Sequence, residues 1–296
     1  MQKGEARKHH YVPRVYLKNF TFKGNQLYCL DKKCTKEKRI FPVSVEKICC
    51  QRDFYKIDGL EDPLFLEHQF SSDIESKMGK IFEDLNMKSK MVILDKFTII
   101  NEQMKRDLSS IIAIQMIRTL KERMYFFNIL DKEINAIMML FEIIQNNQNS
   151  TIYQSLVTIK KTEDIKKVIK YNTYIQLYPK ILNALYDKNF VFARIVTPNI
   201  QYITSDNPAI VTYINGLMLN DTINKKVGIC EQGSLVCYPI SPTLILLLFP
   251  KKLVYNGFDC KCYKADLDFI KEMNKQQINY AYRQVYFNND KDIDIV

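Results

Sequence analysis

Segments typical of strands lie at both ends of the chain, and segments typical of helices lie between them. Residues 1–60 hold short β-branched and aromatic runs between turn formers, residues 61–187 have helical apolar spacing, and residues 188–296 return to strands and then add a last helix. Strands, then helices, then strands favour an α+β fold over a βαβ repeat. We therefore expect a small antiparallel N-terminal sheet, a central helical layer and a mainly antiparallel C-terminal sheet with a final helix, in a single compact domain spanning 1–296.

Turn formers and apolar spacing place the individual elements. Strands are predicted at 11–13, 26–30, 39–43, 53–57, 190–196, 201–204, 209–214, 234–240, 243–249 and 283–287. Helices are predicted from Pro63 through residue 85, from Asn101 through Leu120, and at 129–144, 165–185 and 265–281. The Asn101 side chain is a good N-cap, so we expect the second of these helices to begin just after it.

The composition excludes several classes of protein. A hydrophobic fraction of 47% beside 26% charged residues is typical of a folded soluble protein. No apolar stretch follows the basic first residues, and the longest apolar run is six residues, at 136–141 and 244–249, against about 20 for a spanning helix. We predict a cytoplasmic protein without a membrane segment. The eight cysteines include no CxxC pair, so we interpret them as reduced thiols.

Most of the net charge of +10 lies near the start of the chain, where residues 1–47 contain 12 Lys and Arg against 4 Asp and Glu. Basic and aromatic residues alternate there: Lys32, Lys33, Lys36, Lys38 and Arg39, with Tyr11, Tyr16, Phe20, Phe22 and Tyr28. Basic residues bind phosphate and aromatic rings stack on bases, so this region is a candidate nucleic-acid surface. The alternative is a solvated turn above a core sheet.

Two of the three histidines, His9 and His10, are adjacent, and Arg14 follows them. Neighbouring strand residues point to opposite faces, so one imidazole can face a pocket. Histidine titrates near neutrality and serves as a general acid, a general base or a metal ligand. The alternative is a structural pair. The string His-His-x-x-Pro also opens the metal-dependent HNH nuclease motif, which needs a downstream Asn and a second His; Asn25 is available, but no histidine follows before His68.

The segment Ser205, Asp206 and Asn207 is a second candidate, because it places three hydrogen-bonding side chains where a predicted strand ends before Pro208. Strand ends of this kind are common places for a binding or catalytic site. An Asx turn, in which Asp206 or Asn207 bonds its own backbone, explains the same residues equally well.

The third candidate lies on an apolar helix, where Gln115 and Arg118 are three residues apart and face the same direction. If they face inward, the guanidinium needs a carboxylate, since an unpaired buried charge costs on the order of several kcal/mol. Asp206 or Glu75 is the natural partner. The arginine then either binds substrate or forms an internal salt bridge. Glu67 and Glu75, on one stripe of the preceding helix, are candidate ligands for a divalent metal.

Together these segments resemble a large, mostly bacterial family of unknown function whose members begin with a His-His-Tyr-Val-Pro signature. The matching segments run in order along nearly the whole chain, at 9–20, 53–55, around Glu67 and Glu75, and at 115–119, 204–208 and 239–242. The resemblance implies these site residues: His9, His10, Glu67, Glu75, Gln115, Arg118, Ser205, Asp206 and Asn207. It implies no established reaction. The sequence departs from the pattern at Val15, where an aromatic or bulkier aliphatic residue is more usual.

Two hypotheses about function follow. In the first, the protein is a nucleic-acid-directed hydrolase, a nuclease-like effector or toxin, with His9, His10 and Asp206 as catalytic residues and a divalent ion at Glu67 and Glu75. Its substrate-binding residues would be Gln115, Arg118, Ser205, Asn207 and Arg14. In the second, it is a non-catalytic module that binds nucleic acid or protein, and the polar cluster is a buried structural network. A protein partner or a homo-oligomer is compatible with both.

Overall fold

The structure, a computed structural model, describes residues 8–34, 40–56, 64, 68, 75–91, 97–145, 176–215, 218–220, 228–252 and 256–289. Its architecture is α+β, as the order of the segments predicts. The helices are α1 (Arg14–Leu17), α2 (Ser76–Met91), α3 (Glu102–Arg118), α4 (Leu120–Gln145), α5 (176–186) and α6 (Leu267–Tyr280). The strands are β1 (Lys8–His10), β2 (Gln26–Asp31), β3 (Ile40–Ser44), β4 (Cys50–Arg52), β5 (Asn189–Arg194), β6 (Thr204–Ser205), β7 (Ile210–Asn215), β8 (Met218–Asn220), β9 (Ser234–Ser241), β10 (Leu244–Phe249), β11 (Lys261–Lys264) and β12 (Gln284–Phe287).

The third region forms a six-stranded sheet in the order β11-β5-β10-β9-β7-β8. β11 runs parallel to β5, and the other neighbours are antiparallel. Both faces of this sheet are covered. Leu246 belongs to a core shared with α2 and α3, whereas Leu247, on the opposite face of β10, packs with α6. Burial on both faces explains why β10 is an uninterrupted apolar run.

The first region forms a small antiparallel sheet, as predicted, and strands from the third region complete it. β2 and β3 are a hairpin, and the last strand, β12, pairs with β2 so that Phe287 lies opposite Tyr28. β6 then pairs with β12, which gives the order β3-β2-β12-β6. β1 and β4 form a separate two-stranded sheet. This pairing brings the segment that follows β6 beside the end of the chain.

A break separates α3 from α4 inside the helical region. Asn101 caps α3, its Oδ1 accepting a hydrogen bond from the Met104 N–H at 2.9 Å, as the sequence predicts. The helix ends at Arg118 because Thr119 is extended, with φ −67° and ψ 149°. The segment 115–119 therefore lies at a helix end, where its last two side chains can reach other elements.

Several element boundaries differ from the predictions. The strand expected at 11–13 lies earlier, as β1, because Pro13, with φ −57° and ψ 138°, starts α1. In place of the strand expected at 53–57 the described residues form a turn, which begins where Asp53 takes a left-handed φ of 52°. Only Thr204 of the strand expected at 201–204 is in a strand. The four-residue β11 is too short to give a clear alternation and had no predicted counterpart.

Parts of two predicted helices lie outside the described residues, namely 63–74 apart from residues 64 and 68, and 165–175. In the part of the chain that the structure describes, no helix is both long and apolar enough to cross a membrane.

Candidate functional site

Arg118 lies where the N-terminal segment meets the helices. Its side chain is 1% exposed, and its Nη1 pairs with Oε1 of Glu75 at 3.0 Å. Nη2 donates to the carbonyl oxygen of His10 at 2.5 Å, and Nε donates to the hydroxyl of Tyr55 at 3.1 Å. Burial opposes the charge, but Tyr55 and Glu75 outweigh it and raise the pKa of Arg118. The structure therefore gives this arginine Glu75 as its partner, one of the two carboxylates expected.

Gln115 and Arg118 act together on the N-terminal segment. Gln115 Nε2 donates to the carbonyl oxygen of Tyr11 at 3.1 Å, next to the His10 carbonyl that Arg118 holds. Both side chains are buried, so the shared direction that their spacing predicts is inward. The last turn of α3 thus fixes two consecutive carbonyls at the end of β1, which sets the direction in which the adjacent histidines project.

Tyr55 connects Arg118 to His9. The Tyr55 N–H donates to Nδ1 of His9 at 3.0 Å, and the two rings stack with centroids 5.8 Å apart and 8° between their planes. A neutral imidazole that accepts a hydrogen bond at Nδ1 carries its proton on Nε2. The His9 ring is thus held in the interior by a backbone donor and an aromatic face.

The His10 ring faces the turn after β3 and is in a different state. The backbone of Val45 and Glu46 favours the protonated form of the ring. His10 Nε2 is buried and has no hydrogen-bond partner among the described residues. Burial, with the charges of Arg14 and Arg118, lowers the pKa of His10 to about 4. At pH 7 the ring is therefore neutral, and one of its two nitrogens carries a lone pair that can accept a proton.

Asp206 follows β6 and is buried. Its Oδ1 accepts from the Tyr282 N–H at 2.8 Å, and its Oδ2 accepts from the N–H groups of Arg283 and Gln284 at 2.8 and 2.9 Å. Burial raises the pKa of Asp206, and the three N–H groups act in the opposite direction. The carboxylate therefore holds the segment between α6 and β12, and within the described residues these backbone groups are its hydrogen-bond donors.

Ser205 and Asn207 connect three elements. Ser205 Oγ accepts from Gln277 Nε2 of α6 at 2.7 Å and from the Asn207 N–H at 3.1 Å. Asn207 Oδ1 accepts from Thr119 Oγ1 at 3.0 Å, and its Nδ2 donates to the Tyr280 carbonyl at 3.3 Å. The local bond runs from the Asn207 N–H to the Ser205 hydroxyl, so it is a serine turn and not the Asx turn expected from Asp206 or Asn207. The remaining bonds tie β6 to α6 and to the break after α3.

The two glutamates predicted as metal ligands are placed differently. Glu75 is engaged by Arg118, and Glu67 lies outside the described residues. Among the residues that the structure describes, no group of three or more His, Cys, Asp or Glu side chains could hold a metal ion. The divalent ion stays a prediction that depends on Glu67. Arg14 is exposed at the start of α1 and acts on His10 through its charge.

A groove of about 440 Å³ lies away from these residues, between β5, β10, β11 and the start of α6. Its lining is mostly aromatic and aliphatic, including Phe249, Phe258 and Phe269. None of the predicted site residues lines it. We therefore place the candidate site at His10, where an uncharged base lies beside two arginines.

The comparisons with known proteins agree with the sequence resemblance. The sequence profile of a family described as "Protein of unknown function (DUF4238)" matches residues 8–291. The chain belongs to this family. The DUF4238 match begins at β1 and ends beyond β12, so it includes the histidine pair, the end of α3 and the segment after β6. No curated protein and no solved structure matches the chain.

Two residues of the DUF4238 site network were absent from the predicted set. Tyr55 contacts both His9 and Arg118, and its only signal in the sequence is that 53–55 is one of the matching segments. Gln277 binds Ser205 and continues the buried stripe of α6 that includes Ile270 and Met273. A polar residue on the buried face of an amphipathic helix needs a polar partner, and that signal could have identified Gln277.

Proposed function

We propose that this DUF4238 protein is a nucleic-acid-directed hydrolase in which His10 is the general base. The observation that carries the proposal is the state of the His10 ring, whose pKa is lowered to about 4 and whose buried Nε2 has no partner among the described residues. A buried acceptor without a partner is uncommon and needs an explanation. A water molecule or a substrate hydroxyl bound at Nε2 would satisfy it.

In the proposed reaction, Nε2 of His10 accepts the proton of the attacking hydroxyl. The hydroxyl oxygen bonds to phosphorus, the bond from phosphorus to the departing sugar oxygen breaks, and that oxygen takes a proton from water. A pKa of about 4 makes His10 a weak base in the free protein. A bound phosphodiester would raise this pKa, because a nearby anion favours the imidazolium.

Arg14 and Arg118 have different roles in the proposal. The exposed guanidinium of Arg14 acts on His10 through its charge and would bind the phosphate. Arg118 is a positioning residue, because its bonds fix Glu75, Tyr55 and the His10 carbonyl. The predicted divalent ion would supply further stabilisation of negative charge. We propose nucleic acid of the cytoplasm as the substrate, as expected for a nuclease-like effector or toxin.

The test compares the full chain with a His10→Asn variant on single-stranded and duplex DNA and RNA, with and without Mg²⁺, Mn²⁺ or Zn²⁺. Asparagine keeps a donor near the position of Nδ1 and removes the base at Nε2. We expect the variant to lose cleavage by about 10²–10⁴-fold, the usual contribution of a general base, at a similar melting temperature. The acid limb of kcat/KM should titrate near the pKa of free His10, about 4.

His68→Asn is the matched control, because His68 is an exposed histidine of the same chain. It should cleave as the unmodified protein does. Intact substrates under all ion conditions, or full activity in His10→Asn, would overturn the proposal.

A second candidate is supported by a different observation. Arg118 and Asp206 are both buried and engaged, the first with Glu75 and the second with three backbone N–H groups. If the motifs serve only to form these structural bonds, the protein is a non-catalytic module that binds nucleic acid or a protein partner. Tight binding of nucleic acid without cleavage in the same assay would favour this candidate.

A further inference from the structure

Three aromatic rings form a continuous stack on one face of the four-stranded sheet. Phe22 and Tyr28 stack with centroids 4.5 Å apart and 17° between their planes, and Tyr28 and Phe287 stack at 6.0 Å and 16°. Tyr28 and Phe287 lie opposite each other on β2 and β12, so the sheet register fixes this pair. We call Phe22, Tyr28 and Phe287 the aromatic ladder.

The ladder is buried at one end and open at the other. Phe287 is 4% exposed and belongs to a small core cluster, against which Tyr28 and Ile278 of α6 pack, whereas Phe22 is 39% exposed and Tyr28 is half-buried. On the opposite face of the same strands, Leu27 and Cys29 are fully buried in the main core. The inner end of the ladder is therefore part of a core, and its outer end, at Phe22, leaves aromatic surface open to a ligand.

The open end has two basic neighbours in the chain, in a region of net positive charge. Within 8–34 and 40–56, nine Lys and Arg side chains oppose three Asp and Glu, and two of those acids, Asp31 and Asp53, are already paired with Arg283 and Arg52. Lys23 directly follows Phe22, and Lys18 is exposed one turn before it. An open aromatic surface with basic neighbours is complementary to a ligand that carries both flat rings and phosphates.

The ladder lies close in the chain to the proposed base. The Phe22 N–H bonds the Gln26 carbonyl, and the Val45 N–H bonds the Asn25 carbonyl, so the turn at 23–25 joins the ladder to the turn that holds the His10 ring. A strand stacked on the ladder could therefore continue towards His10.

We propose that the aromatic ladder, with Lys18 and Lys23, binds single-stranded nucleic acid by stacking its bases. Bases in a duplex already stack on each other and present only their edges, so a stacking surface selects single strands. The inference rests on the proposed function for its ligand class and adds to it the strandedness of the substrate. A protein ligand would be an outcome against it.

The test measures fluorescence anisotropy of labelled 12-nucleotide oligomers, dT and rU, and of a duplex of equal length, all with the full chain carrying His10→Asn so that no cleavage occurs. Single strands should bind more tightly than the duplex, and either DNA or RNA supports the proposal. Phe22→Ala should weaken single-strand binding about tenfold, and Tyr28→Phe should not, because stacking needs the ring and not the hydroxyl.

Phe97→Ala is the matched control, because Phe97 is 57% exposed and lies next to the bridge between Thr98 and β11 of the other sheet. It should bind as the parent does. If Phe22→Ala lowers the melting temperature, Lys23→Gln tests the same surface. This variant should reduce the salt dependence of single-strand binding by about one phosphate contact.

This inference is overturned if duplex and single strand bind equally, or if binding is unchanged in both Phe22→Ala and Lys23→Gln. Cleavage by the unmodified chain would still support the hydrolase in either case. Conversely, single-strand binding that depends on Phe22 with no cleavage supports the ladder and overturns the hydrolase.

Discussion

Asp206 and His10 both belong to the matching segments, but their surroundings differ. The Asp206 carboxylate is engaged on both oxygens by consecutive backbone N–H groups. The His10 ring has a pKa lowered to about 4, and its Nε2 is buried with no partner among the described residues. The Asp206 carboxylate therefore serves the structure, whereas the Nε2 atom of His10 stays available for a reaction. A shared motif therefore does not imply a shared role.

Arg118 is similar to Asp206, because its side-chain bonds also serve the structure. Its bonds to Glu75, Tyr55 and the His10 carbonyl hold the segment that carries the proposed base. We expect substitutions at Arg118 and Asp206 to act first on stability, and substitutions at His10 to act first on the reaction. The predictions below test that division, beginning with the largest expected effect.

Arg118→Met should destabilise the protein the most. It leaves the Glu75 carboxylate without its cation and the His10 carbonyl without its donor, and breaking a buried ion pair by removing one partner costs about 3–5 kcal/mol. The measurement is the free energy of unfolding in urea. Adding Glu75→Leu should recover part of the loss, because the unpaired carboxylate is then gone.

Lys251→Met is the control for Arg118→Met. Lys251 pairs with Asp187 at 2.5 Å, but both side chains are more than half exposed. Exposed pairs contribute about 0–1 kcal/mol. If Arg118→Met cost no more than this control, Arg118 would be free for substrate and the comparison would fail.

Asp206→Asn should have the next largest effect. The amide keeps one acceptor oxygen but turns an NH₂ group towards backbone N–H donors, and an unsatisfied buried group costs about 1–3 kcal/mol. Asp266→Asn is the matched control, because Asp266 caps α6 through one bond, from the Phe269 N–H at 2.8 Å. Asparagine caps as well as aspartate, so this variant should unfold at nearly the parent's urea concentration. Activity lost in Asp206→Asn without any loss of stability would move Asp206 into the catalytic group.

The last prediction is a dependence of stability on pH. The folded pKa of His10, about 4, lies below the ordinary histidine value of 6.5, so between these values the unfolded chain binds a proton that the folded chain does not. The free energy of unfolding should therefore fall as the pH falls from about 6.5 to about 4. His10→Asn should lack this component, and the difference between the two pH profiles measures it. Identical profiles would mean that the His10 ring titrates normally and is not held neutral.

Much of the fold could be predicted from local patterns. The order of strand-rich and helix-rich regions, the Asn101 cap and the shared face of Gln115 and Arg118 follow from periodicity and capping, which act over a few residues. The ends of short elements were harder to place. Pro13 starts a helix and Asp53 takes a left-handed turn, and both effects override strand propensity locally.

The candidate site could be predicted only in part. The sequence identified His10, Arg118 and Asp206 as polar residues in unusual positions. It could not show which of these side chains would have all of its hydrogen-bonding groups paired within the protein. Asp206 is bonded to residues 282–284, and Arg118 to Tyr55 and His10. These partners lie far away along the chain, so local pattern carries no information about them.

By itself, then, the sequence determined the class of fold, the helix faces and the family, because each depends on short-range spacing or on ordered motifs. The tertiary structure alone decided that β12 closes the N-terminal sheet and that Glu75 rather than Asp206 pairs with Arg118. It also decided that His10 keeps an unpaired nitrogen within the described residues. Each of these depends on which distant segments come into contact, and that is settled by packing.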